Sequence, residues 1–177
     1  MRALAAELTA SGNYAALCTT CEAGEPYGDD PAKVERILVD EIIANAELYL
    51  DETLRPPPTR ADAVTGNFLA AFLRGWCRTC PRPVVLLLDE IDALRDQALI
   101  SVLRQLRSTF PHRPRAAPAS LALIGLRDVR EYKVASGGSE RLGSPSPFNI
   151  SAEALTLAAF TRQDIAALYG QHTSETG

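Results

Sequence analysis

The chain has 177 residues, of which 46% are hydrophobic and 23% charged, and its formal net charge at pH 7 is −4. This length is enough for one domain with a buried core, and no apolar run approaches the roughly 20 residues that cross a bilayer. The mild negative charge argues against a nucleic-acid-binding face, since arginines supply most of the positive charge but are scattered along the sequence. With no signal-peptide pattern at the start, we predict a cytoplasmic protein.

The first half of the chain predicts helices that alternate with strands. The predicted helices, recognised by apolar residues at helical spacing or by an Ala- and Leu-rich composition, are residues 2–11, about 31–50 and 60–77. The predicted strands are "NYAALCTT" at 13–20 and "VVLLL" at 84–88. The segment "RPPPT" (55–59) must separate the second and third helices, because three prolines cannot continue a helix.

The second half continues the alternation. A strongly periodic helix is predicted over 93–110, a strand over "SLALIGL" (120–126) and a Gly- and Ser-rich loop over 133–147. Leu155 and Leu157 alternate as in a short strand, and a last helix is predicted from a Thr161–Asp164 capping box to Gly170.

This order predicts an α/β fold with a mostly parallel sheet that is covered on both faces by helices. The uninterrupted apolar runs "VVLLL" and "LALIG" are typical of strands in the middle of such a sheet. Ligands of open parallel sheets bind beyond the carboxyl ends of the strands. Asp89 and Glu90 follow one predicted strand directly, and Arg127 follows the next one.

A buried strand that ends in Asp-Glu is the Walker B pattern of nucleotidases. Mg²⁺ is held in such sites through one or two carboxylates, waters and nucleotide phosphates, so Asp89 is predicted to hold the metal through a water. Glu90 is predicted to polarise the attacking water as a general base. The alternative is that "DEID" (89–92) is only the polar N-cap of the following helix.

Four cysteines form two CxxC pairs, Cys18–Cys21 and Cys77–Cys80. Two such pairs are often a zinc site. On a strand, however, a spacing of three residues directs the first two thiols to opposite faces. The second pair is expected at the far end of the neighbouring strand. We therefore favour free, partly buried cysteines in a reducing compartment, with a zinc site or a redox role as alternatives.

Beyond these patterns, the chain resembles the bacterial AAA-like ATPases, which are related to the AAA+ and signal-transduction (STAND) nucleotidases. The resemblance covers nearly the whole chain and is most specific over 84–94 ("VVLLLDEIDAL") and 120–132. It implies a P-loop NTPase-like three-layer α/β/α fold with ATP and Mg²⁺ as ligands. It also implies that residues 1–160 form the ATPase core and that 161–177 begin a C-terminal lid.

The resemblance also assigns roles to three residues. Asp89 is implied to be the Mg²⁺ carboxylate, Glu90 the catalytic base, and Arg127 the sensor that faces the γ-phosphate. A surface ion pair with Asp128 or Glu131 is the alternative for Arg127.

The phosphate-binding loop of that family is missing from the sequence. The pattern GxxxxGK(S/T) does not occur, and neither Lys33 nor Lys133 lies in a suitable context. In similar proteins the loop and its strand directly precede a helix like 2–11, and that strand lies between the strand at 121–125 and the last strand. We therefore expect an incomplete core and do not expect autonomous ATP hydrolysis.

Without that strand, two sheet edges would face a gap. Three outcomes are expected: the last strand closes against 121–125, a second copy or a partner chain fills the gap, or the isolated protein is only marginally stable. The alternative function is a non-catalytic protein-interaction module on a degenerate nucleotidase scaffold.

Overall fold

A computed structural model describes residues 1–57, 64, 66–126 and 155–176, and within them the chain is a mixed α/β fold. Its three strands are β1 (Ala15–Thr20), β2 (Val84–Asp89) and β3 (Ser120–Leu123). Its helices are α1 (Arg2–Ala10), α2 (Pro31–Tyr49), α3 (Phe68–Thr79), α4 (Asp96–Thr109) and α5 (Arg162–Thr176). The predicted helices at 31–50 and 93–110 and the strands at 13–20 and 84–88 are confirmed within a few residues.

The sheet has the order β1-β2-β3, and both pairs of strands are parallel. Strand β2 is central, with Leu86 opposite Leu17 on one side and Leu121 on the other. The prediction that "VVLLL" belongs in the middle of a parallel sheet is confirmed. The same prediction for "LALIG" is wrong within the described sheet, because β3 has one neighbouring strand and remains partly exposed.

Successive residues of the strands point to opposite faces of the sheet and so enter two separate cores. The larger core contains Leu17, Leu86 and Leu88 and is covered by α2, α3 and α4. At its centre the fully buried Trp76 donates its indole N–H to the Leu54 carbonyl oxygen over 2.9 Å. The smaller core contains Cys18 and Leu87 among other residues and is covered by α1. The parallel sheet therefore has helices on both faces.

Several predicted boundaries differ from the structure. Val64, expected inside a helix, lies outside α3 and is 76% exposed. The predicted short strand at Leu155 and Leu157 is wrong, since residues 155–160 form no regular element and are exposed. These residues therefore do not close against β3, which removes the first of the three expected outcomes. The predicted loop at 133–147 lies outside the described residues.

The last helix begins as predicted and ends later. The Thr161 hydroxyl and backbone N–H both donate to the Asp164 carboxylate, over 2.6 and 2.8 Å, and the Asp164 N–H donates back to the Thr161 hydroxyl over 3.2 Å. The capping box is thus confirmed. Helix α5 continues through Gly170 to Thr176, so the predicted end at Gly170 is wrong. None of the helices in the described ranges is long and apolar enough to cross a membrane.

Candidate functional site

The predicted site residues lie where β1 and β2 end side by side. The register places Thr20 opposite Asp89, so both strands finish at the same edge of the sheet, here called the carboxyl edge. The Cys21 N–H extends the pairing by donating to the Asp89 carbonyl oxygen over 2.8 Å. Because the strands are parallel, acidic residues that follow each of them meet at this edge.

Asp89 is partly exposed, and the alternation along β2 puts its side chain on the same face of the sheet as Leu87 and α1. Burial and then the Asp89 charge raise the pKa of the Cys18 thiol, whereas the N-terminal ammonium and Arg2 lower it. Cys18 therefore lies near both Asp89 and the first residues of α1. The amino-terminal end of α1 and the Asp89 carboxylate consequently share the carboxyl edge.

Glu90 adopts a left-handed backbone conformation, with φ 53° and ψ 45°. For a residue with a Cβ this conformation costs about 1–2 kcal/mol. It is maintained by the turn that follows, in which the buried Ile91 donates its N–H to the Ile124 carbonyl oxygen over 2.9 Å. Strained backbone of this kind is concentrated at functional sites.

The turn after Glu90 also tests the alternative interpretation that "DEID" (89–92) is the N-cap of the following helix. Helix α4 begins at Asp96, and its N-cap residue is Arg95 rather than one of the carboxylates at 89–92. The short 3-10 turn Ile91–Ala93 follows Glu90, whose side chain makes no capping hydrogen bond. The residues 89–92 are therefore not the N-cap of α4, although Glu90 occupies the N-cap position of the short turn.

The Glu90 carboxylate is exposed and surrounded by other carboxylates. Its pKa is raised, chiefly by the charge of Glu22, then by partial desolvation and by the charges of Asp89, Asp92 and Glu25. A raised pKa makes a carboxylate a better proton acceptor, which suits a general base. Part of the acidity at this edge is balanced by an exposed ion pair between Glu25 and Arg95, with an N–O distance of 2.8 Å.

Gly125 brings the end of β3 against the acidic turn. A Cβ added at Gly125 would lie 2.7 Å from the Asp92 Oδ1 atom and 3.1 Å from the Ile91 Cγ2 atom, so only glycine fits without displacing them. The segment that leaves β3 therefore passes directly beside Asp92. Arg127, the predicted sensor, lies outside the described residues.

The backbone strain at Glu90 gives a stability prediction. Replacing Glu90 by glycine should leave the protein more stable than replacing it by alanine, by about 0.5–1 kcal/mol. Both variants remove the carboxylate, but alanine keeps the Cβ penalty of the left-handed conformation, which the greater unfolded-state entropy of glycine offsets only in part. Urea unfolding of the two variants measures the difference, and equal stabilities would contradict the strain.

The two cysteine pairs lie at opposite ends of the strands, as predicted. Cys18 enters the small core and Cys21 the large one, so these thiols point to opposite faces. Cys77 and Cys80 lie at the end of α3, before β2 begins, and all four thiols are free. Across the described ranges, no group of three or more His, Cys, Asp or Glu side chains is arranged to hold a metal by itself.

Two features of the site were missed from the sequence. The left-handed conformation of Glu90 has no sequence signal, because the residue is neither glycine nor asparagine. The close approach at Gly125 had a weak signal, a glycine that interrupts the apolar run "LALIGL". Comparisons of the chain with protein-family models, curated proteins and solved structures found no match.

Proposed function

We propose that the chain forms the Walker B part of an AAA-like, P-loop NTPase-type ATPase core, related to the AAA+ and STAND nucleotidases. The observation that carries the proposal is the position of Asp89 and Glu90 at the carboxyl end of a central, buried, parallel strand, with Glu90 in a strained turn. Helices on both faces of the sheet are compatible with the three-layer arrangement of that fold. The amino-terminal end of α1 at the same edge adds support, since helix amino termini attract phosphate.

The proposed chemistry divides between the two carboxylates. Asp89 would hold Mg²⁺ through a water, and the bound metal would supply charge neutralisation at the nucleotide phosphates. Glu90 would accept hydrogen bonds from the attacking water and take its proton. Arg127 is proposed to face the γ-phosphate, and α5 to belong to the lid.

The sequence contains no GxxxxGK(S/T), so ATP hydrolysis would depend on a phosphate loop contributed by another polypeptide segment. The outer edge of β3 carries no neighbouring strand among the described residues, and it could receive the strand that leads into such a loop. We place this function in the cytoplasm, where ATP and Mg²⁺ are available and free cysteines stay reduced.

A divalent cation tests the proposal without requiring the missing loop. Mn²⁺ replaces Mg²⁺ at carboxylate and water sites and broadens the NMR signals of nearby nuclei. Titration of the chain with MnCl₂ should broaden the backbone amide signals of Thr20, Asp89 and Ile91 before those of other described residues. Asp89→Asn should abolish this local broadening, because an amide binds the cation far less well.

The matched control is Asp40→Asn, which removes an exposed carboxylate on α2 and should leave the broadening pattern unchanged. Uniform broadening in the wild-type chain, or the same pattern in Asp89→Asn, would reject a cation site at Asp89. ATP binding at micromolar concentration by the chain alone would instead reject the dependence on an added phosphate loop.

The unpaired edge of β3 favours a second candidate, a non-catalytic protein-interaction module. Leu121 and Leu123 contact the large core, whereas Ala122 and Ile124 contact the small one. A strand added beside them, from a partner or a second copy, would therefore need apolar residues on both faces. In that case Asp89→Asn would leave partner binding unchanged, and Ala122→Pro, which removes a backbone N–H from the edge strand, would weaken it.

A further inference from the structure

Four arginines lie in the segments that precede β2 and β3, at the opposite edge of the sheet. Arg78 and Arg82 lie at the end of α3 and in the loop before β2, and Arg113 and Arg115 lie in the loop before β3. The two loops are neighbours, because the Ala119 N–H donates to the Val84 carbonyl oxygen over 2.8 Å. We call Arg78, Arg82, Arg113 and Arg115 the arginine edge.

Among the described residues, no carboxylate forms an ion pair with the arginine edge. Residues 63–88 and 97–127, which contain it, include no aspartate or glutamate. Glu47 lies near the end of α2, and Asp51 and Glu52 follow that helix, yet none of the three lies within 4.0 Å of these four guanidinium groups. Within the described ranges, these four arginines therefore form no ion pair, although Asp51 and Glu52 follow α2 at the same end of the sheet.

Helix dipoles explain only part of this arrangement. Arg78 is in the last turn of α3, where a cation stabilises the helix. The other three lie outside the helices, so that reason does not apply to them. Arg82 donates to the Thr9 carbonyl oxygen over 3.3 Å, and Arg113 lies over the Phe110 ring at 3.8 Å from its centroid. Neither contact neutralises the charge.

The loops also restrict where these arginines can move. Arg82 lies between two prolines in "PRP" (81–83), and Arg113 and Arg115 flank a proline in "RPR" (113–115). Proline fixes the backbone φ angle and reduces the conformational freedom lost on binding. The guanidinium groups are therefore presented from a backbone that is largely ordered in advance.

We propose that the arginine edge binds the phosphate backbone of a nucleic acid. The planar guanidinium group donates paired hydrogen bonds to phosphate, and contacts to a phosphate backbone require clustered cations rather than apolar contact. This surface is distinct from the proposed nucleotide site, which lies at the other end of the strands. This proposal revises the expectation that the net negative charge argues against a nucleic-acid-binding face. The fold places arginines that are scattered in the sequence in neighbouring loops.

The composition of the edge favours nucleic acid over the other anionic partners. Membrane surfaces are bound by cations together with apolar or aromatic anchors, and protein interfaces have an apolar or aromatic centre. The large hydrophobic side chains that are exposed in the described residues lie elsewhere, and none is in 78–83 or 111–118. A surface with charge and no exposed apolar anchor fits a polyphosphate backbone.

Fluorescence anisotropy with a labelled DNA duplex of about 30 base pairs, and with the corresponding RNA, tests the proposal between about 50 and 200 mM salt. Four phosphate contacts predict a slope of log K against log salt of about −3.6 on duplex DNA. Arg113→Ala/Arg115→Ala should reduce the slope to about −1.8 and weaken binding at least about tenfold at the lower salt concentration. Circular dichroism shows whether the variant is folded.

The matched control is Arg36→Ala/Arg104→Ala, which removes two exposed arginines on α2 and α4 and should keep most of the binding. No detectable binding by the wild-type chain at the lower salt, or equal weakening by both double variants, would overturn the proposal. Stronger binding to polyglutamate than to DNA or RNA would also overturn it and would indicate an acidic protein partner. Each of these outcomes is independent of whether Asp89 binds a cation.

Discussion

Substitution of Glu90 by glutamine should lower the ATP turnover of the assembly that contains this chain and a phosphate loop by about 10²–10⁴-fold. The amide cannot accept a proton from the attacking water, and general-base catalysis contributes about that factor. Nucleotide affinity should change little, because Asp89 would still hold the metal. The measurement is the steady-state rate of phosphate release at saturating Mg·ATP.

The same substitution should not destabilise the fold. The carboxylates at Glu22, Asp89, Asp92 and Glu25 raise the pKa of Glu90 by repelling its charge. A raised pKa in the folded state means that protonated Glu90 is the better tolerated form, so stability is lost as the pH rises through that pKa. A neutral glutamine avoids this loss, and Glu90→Gln should unfold at an equal or slightly higher urea concentration near neutral pH.

Asp40→Asn is the control for turnover, since it removes one exposed carboxylate on α2 that does not contribute to the raised pKa of Glu90. It should leave the rate within a few fold of the wild type. A rate that survives Glu90→Gln, or that falls equally in both variants, would assign the proton transfer to another residue.

The elements that the sequence predicted best are those whose patterns are set by burial alone. Strand β2 was recognised because it is apolar from Val84 to Leu88, and the structure buries these five residues on both faces. Helix α4 was recognised because its apolar residues recur at helical spacing, and the same residues form part of the large core. In both cases a single energetic term, the removal of apolar surface from water, decides the conformation.

The elements that failed depend on contacts that a local pattern does not contain. Residues 155–160 alternate as a strand would, but a strand also needs a neighbour for its backbone groups, and the structure gives these residues none among the described strands. Gly170 was expected to end α5, yet a single glycine inside a helix costs only about 1 kcal/mol. The spacing of Val64 from Phe68 predicted that it belongs to a helix, but it lies outside α3.

For the candidate site, the sequence predicted where the residues lie but not their backbone conformation. The positions of Asp89 and Glu90 at the end of a buried strand followed from sequence order, because a parallel sheet brings strand ends to one edge. The left-handed backbone at Glu90 could not be predicted in this way, because it depends on the next residue, Ile91, whose N–H donates to Ile124, directly after β3 and more than 30 residues away along the sequence. When tertiary contacts impose a conformation that a residue does not intrinsically prefer, the identity of that residue does not predict the conformation.

Two buried thiols should make the protein sensitive to alkaline pH. Burial, followed by the nearby charge of Asp89, raises the pKa of Cys21 to about 12, and burial raises that of Cys77 to about 12. In the unfolded chain both thiols ionise near 9.0. Because the folded state holds these protons more tightly, the contribution of each thiol to the stability is constant below about pH 9 and falls above it, by about 1.4 kcal/mol per pH unit.

The free energy of unfolding should therefore be about 3 kcal/mol lower at about pH 10 than at about pH 7.5, from these two thiols together. Urea unfolding at both pH values measures the difference for the wild type and for Cys21→Ala/Cys77→Ala. The double variant has a different free energy of unfolding at the lower pH, but this free energy should fall by about 3 kcal/mol less on the same pH change. The contribution of tyrosines and lysines cancels in this comparison, because they titrate equally in both proteins. An equal loss in the two proteins would mean that both thiols ionise in the folded state as readily as in the unfolded chain, and that the core around them admits water.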